Sequence, residues 1–74
     1  MEYLIKHYRN NEYLDNKGRI VMTLVNENVF RTKDTIDDRI SQIVIAKDFY
    51  ELYRRRRNNR PWKLAGTNIP KERY

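Results

Sequence analysis

Seven residues in the last third of the chain have the types and spacing for binding chemistry: Arg54, Arg55, Arg56, Arg57, Arg60, Trp62 and Lys63. Guanidinium forks match the oxygens of phosphate groups, and a tryptophan ring either stacks on a base or anchors in a protein pocket. They lie within "FYELYRRRRNNRPWKL", Phe49 to Leu64, where aromatic residues flank the arginine run. Tyr50 and Tyr53 are expected to serve the core, and Trp62, in an irregular "RPWK", to be the exposed aromatic.

Residues for a chemical reaction are scarce. His7 is the only histidine and Ser41 the only serine, and nothing local brings them into register as base and nucleophile. Gly18 and Gly66 are the only glycines, too few and too far apart for a phosphate-cradling loop. The absence of cysteine excludes disulfides and thiolate metal sites. Asp34, Asp37 and Asp38 are neighbours on one helical turn, where acids suit the free N–H groups of a helix start better than they suit a metal. The chain is therefore expected to be no enzyme and to need no metal or cofactor.

Charge is distributed unevenly. Residues 54–74 hold eight bases against one acid, residues 34–53 two against five, and the whole chain carries +6. A basic arm of this kind is expected to meet a polyanion. Local electrostatics offers a plainer account, because cations suit a helix C-terminus. One or two in the last turn gain about 0.3–1 kcal/mol each. Four in a row, followed by Arg60 and Lys63, exceed what a helix end can use.

Elements must hold these residues in place, and 74 residues suffice for one small domain with a marginal core. "EYLIKHY" (Glu2–Tyr8) alternates as a strand does, and "RNN" (Arg9–Asn11) reads as a turn. "DNKG" (Asp15–Gly18) is a stronger turn, and "RIVMTLV" (Arg19–Val25) a second strand with Ile20, Met22 and Leu24 inward. Tyr13 and Leu14 are placed to pair with its start. "NEN" (Asn26–Asn28) reads as a break, after which "VFRT" (Val29–Thr32) returns as a third strand.

Helical spacing then takes over. Thr35 and Asp38 suggest a capping box, and Ile36, Ile40, Ile43, Val44 and Lys47 fall on one stripe. Beyond Val44 the stripe widens to include Ile45, Phe49 and Leu52. One helix from about Ile36 to about Arg57, about 33 Å long at 1.5 Å per residue, accommodates this. The competing parse makes "QIVIA" (Gln42–Ala46) a strand and starts a new helix at Asp48. "NNRP" (Asn58–Pro61) ends the helix.

The expected fold class is α+β. A small antiparallel sheet of two to three strands precedes one long helix and an irregular basic C-terminal tail. Residues 1–57 form the single domain and 58–74 the tail.

The expected function is that of a small non-enzymatic nucleic-acid-binding protein. Its arginine-rich helix end and tail contact phosphates of DNA or RNA. The alternative is a protein-interaction module: an accessory subunit, small inhibitor or structural component whose basic arm and Trp62 dock on an acidic protein surface. So small a core also suits a homo-oligomer or a subunit of a larger complex. Without a long apolar run, a cytoplasmic location and no membrane partner are expected.

Overall fold

The computed structural model describes residues 1–70. The elements are β1 (Glu2–Leu14), β2 (Ile20–Phe30), α1 (Lys33–Ile45), β3 (Phe49–Arg55) and β4 (Lys63–Thr67). All four strands join one antiparallel sheet in the order β2-β1-β3-β4. The α+β class therefore holds, with four strands rather than two or three. Among the described residues no helix is long and apolar enough to cross a membrane.

The first two strands form a long hairpin. Asp15 closes it: its backbone carbonyl accepts from the Gly18 N–H, and its carboxylate accepts from the N–H groups of Lys17 and Arg19. Gly18 takes φ 75°, which a residue without Cβ adopts freely. "RNN" is not a turn, because Arg9 pairs with Thr23 and Asn10 with Met22 inside the ladder. The irregularity lies just beyond, between Asn10 and Leu14, where Glu12 has φ 58°. "NEN" does not end β2 either. The register shifts once, so that His7 faces Asn26 while Tyr8 faces Leu24, and Val25 is the extra residue of a bulge. Val29 and Phe30 continue the same strand rather than forming a third. Leu24 is exposed, contrary to the inward position expected for it.

Only Tyr3–Tyr8 of β1 pairs on both sides, so the outer half of the hairpin projects from the sheet as a two-stranded ribbon. It leaves Tyr13 and Leu14 exposed.

Helix α1 crosses from the end of β2 to the start of β3. Both strands are antiparallel to the β1 between them, so they run parallel to each other and need such a crossover. The stripe expected from spacing packs on the sheet in part. Ile36 and Ile43 are buried with Ile5, and Tyr3, Phe30, Ile40, Tyr50 and Leu52 surround them. Val44 and Ile45 stay exposed. The helix begins after Thr32, three residues earlier than the expected cap at Thr35, and the two hydroxyls lie 2.8 Å apart.

It also ends far earlier than Arg57. Lys47 takes the left-handed φ of 62° and donates its N–H to the Val44 carbonyl, while the Asp48 N–H reaches the Ile43 carbonyl. These two bonds are the Schellman closure of a helix end. Residues from Phe49 then run as β3, the strand beside β1. Its side chains are aromatic or aliphatic on both faces, a pattern that hides the period of two. Neither the single long helix nor the alternative strand over Gln42–Ala46 forms.

The chain expected as an irregular tail from residue 58 holds a turn and then β4, at the sheet edge. Residues 71–74 of that expected tail lie outside the described residues.

Candidate functional site

The arginine run straddles the end of a strand, not the end of a helix. Arg54 and Arg55 close β3, and Arg56 and Arg57 enter the turn that leads to β4. Because side chains alternate across a strand, Arg54 points to the helix-covered face and Arg55 to the opposite one. The turn doubles back at once: the Arg60 N–H donates to the Arg57 carbonyl at 3.1 Å. Lys63 then opens β4 directly opposite Arg54.

The outcome is a cup of about 660 Å³ lined by Arg54, Arg55, Arg56, Arg57, Arg60, Pro61 and Lys63. Six of the seven expected site residues therefore line one concavity, and its lining holds no carboxylate. A second hollow of about 530 Å³ shares Arg56 and Arg57 with it and adds Met1, Glu2, Arg31, Asn58 and Asn59. Arg54, Arg56, Arg57, Arg60 and Lys63 are exposed, and none has an ion-pair partner among the described residues.

Arg55 differs from the others. Its Nε–H donates to Oε1 of Glu2 at 2.9 Å, and its guanidinium carbon lies 4.0 Å from the centroid of the Trp62 ring. Trp62 is half-buried and lies outside the cup lining, so one ring face backs Arg55. Glu2 is also approached by Arg31 through Oε2, at 3.7 Å. Glu2 and Arg31 were not singled out from the sequence. Only the register that sets Glu2 opposite Arg55 brings these distant segments together.

The face of the sheet opposite the helix continues from Arg55 to Tyr53, which pairs with Leu4. The Lys6 ammonium sits 5.3 Å from the Tyr53 ring centroid. Burial pushes the Tyr53 hydroxyl above its ordinary pKa, and the nearby charge of Glu51 adds to the effect. Glu51 itself is buried and accepts from the Tyr8 hydroxyl at 2.7 Å.

Near the other end of the β1–β3 pairing the half-buried His7 bonds through Nε2 to Oδ2 of Asp48 at 2.9 Å. The bond from His7, with the Asn10 N–H assisting, holds the Asp48 carboxyl below its usual range against the opposing effect of burial. The exposed Asp34 lies in the first turn of α1, where the helix dipole favours an acid.

No protein-family model, no curated protein and no solved structure matches this chain.

Proposed function

We propose that this protein binds nucleic acid without enzymatic action, holding phosphate groups of the backbone in the basic cup. One observation carries the reading: Arg54 and Lys63 lie directly opposite each other across β3 and β4, in a lining of six cations and no acid. Like charges at directly opposed sheet positions oppose folding, by about 0.2–1 kcal/mol per pair. Nothing among the described residues compensates these two. An anion from outside does so, and the phosphates of a nucleic acid are dense in charge and match arginine forks.

The test is binding of a fluorescently labelled oligonucleotide, single- or double-stranded, by the parent and by a variant with Arg54, Arg56, Arg57 and Arg60 all changed to Gln. The variant is expected to lose binding to both. Equal binding by the two proteins would remove the cup from the interface.

A second reading, docking on a partner protein, is favoured by the projecting ribbon. Exposed Tyr13 and Leu14 lie on the part of the hairpin that pairs with no third strand. Under that reading Leu14→Asp abolishes co-purification of a stoichiometric partner, while oligonucleotide binding is absent in the parent as well.

A further inference from the structure

Arg55 is the restrained cation of the cup. Its side chain is only 20% exposed, yet it contributes to the lining. Glu2 fixes its Nε, and the guanidinium carbon lies over the Trp62 ring. A guanidinium carries five N–H donors, and the Nε–H takes up one. The two Nη nitrogens carry the other four donors, beyond the Nε that Glu2 holds. So the fork is oriented before any ligand arrives.

Orientation matters because a long side chain ordinarily loses rotamer freedom when it binds. Arg54, Arg56, Arg57 and Arg60 are exposed and bear that cost in full. For Arg55 the fold has already met it. Glu2 also offsets the charge of Arg55, which makes its contribution chiefly geometric. Two parallel N–H donors spaced to meet two oxygens of one tetrahedral anion are what a lysine cannot offer.

We propose that Arg55 is the phosphate-recognising fork of the cup: its Nη groups take two oxygens of one phosphate group, with Glu2 and Trp62 as positioning residues. The surrounding cations supply attraction without geometric demand. The source of the phosphate, a nucleic-acid strand, rests on the reading given under Proposed function. The fork itself needs only the phosphate group.

Replacing arginine by lysine keeps charge and removes the fork, so the experiment is an Arg-to-Lys series on the full chain. Its two probes are inorganic pyrophosphate and a labelled oligonucleotide. Arg55→Lys is expected to weaken both by about tenfold without altering the salt dependence, whereas Arg56→Lys and Arg57→Lys change either by less than about twofold. Trp62→Leu is expected to weaken both and Trp62→Phe to restore most of the loss, because a flat ring again supports the guanidinium plane. In the unmutated protein, the Arg55 Nε–H resonance should move on addition of pyrophosphate, which covers the case of a variant that folds poorly. Equal loss for lysine at positions 55, 56 and 57 would overturn the fork and leave the nucleic-acid reading intact. Arg55-dependent binding of pyrophosphate with no binding of any oligonucleotide would support the fork and overturn that reading. Failure to bind either probe would overturn both.

Discussion

Lys63 faces Arg54 directly across β3 and β4, with no acid in the concavity that both line. The sheet is held together there despite its charges. Arg54→Gln should therefore stabilise the free protein by up to about 1 kcal/mol at low ionic strength. Urea unfolding checks this. The gain should vanish near 1 M salt, where the Debye length is only about 3 Å. Pyrophosphate should raise the unfolding midpoint of the parent more than that of the variant, since a ligand stabilises in proportion to its binding of the folded state.

Asp48 fastens three segments. Its carboxylate bonds His7 and the Asn10 N–H of β1, and its backbone carbonyl accepts from the Asn68 side chain. Because its pKa is lowered on folding, chiefly by the His7 bond, the sign of the linkage is set. The stabilisation is complete above the ordinary value of 3.8 and is lost as pH falls through the lowered native value. Asp48→Asn should cost about 1 kcal/mol at pH near 6, since bonds to charged groups contribute about 1.5–3 kcal/mol and partial exposure reduces that. It should also flatten the decline of stability below pH 4 seen by urea titration.

The helix ends at a lysine in a conformation that glycine favours. Lys47→Gly should stabilise the fold by about 0.5–1 kcal/mol, because the left-handed φ strains a residue with Cβ. Lys47→Ile should destabilise it, since branching at Cβ deepens the strain. Thermal unfolding of the two variants separates these signs.

Ile36 and Ile43 are each only 2% exposed, whereas Ile45 is 80% exposed. Ile43→Ala should cost about 2–5 kcal/mol, through lost burial and the cavity left behind. In a chain this small, that approaches the whole stability. Ile45→Ala should change stability by less than about 0.5 kcal/mol. Similar effects at both sites would mean that the helix packs by a different face.

What could be read from the residues was local. The alternation of Glu2–Tyr8 and the chemistry of Asp15–Gly18 point to a strand and a turn because neighbours alone decide them. The helix stripe was legible from Ile36 to Ile43. Its end was not, because Lys47 occupies a position where glycine or asparagine would have been the signal. Strand β3 was hidden for a related reason: lying between β1 and β4, it carries large side chains on both faces, and Phe49, Tyr50, Leu52 and Tyr53 mimic a helix buried on several sides. The basic cluster was visible because one strand end and one turn bring it together. Glu2 was not, since its role depends on the register of strands 53 residues apart.

Whether the cup holds nucleic-acid phosphates is decided by how oligonucleotide affinity depends on salt. If the cup neutralises phosphates, log affinity falls linearly with log salt, with a slope of about −0.7 per phosphate neutralised on single strands and −0.9 on duplexes. Changing Arg54, Arg56, Arg57 and Arg60 to Gln should then flatten that slope, leaving only the share that Arg55 and Lys63 hold. A variant that keeps the slope of the parent would mean that these arginines do not touch the phosphates.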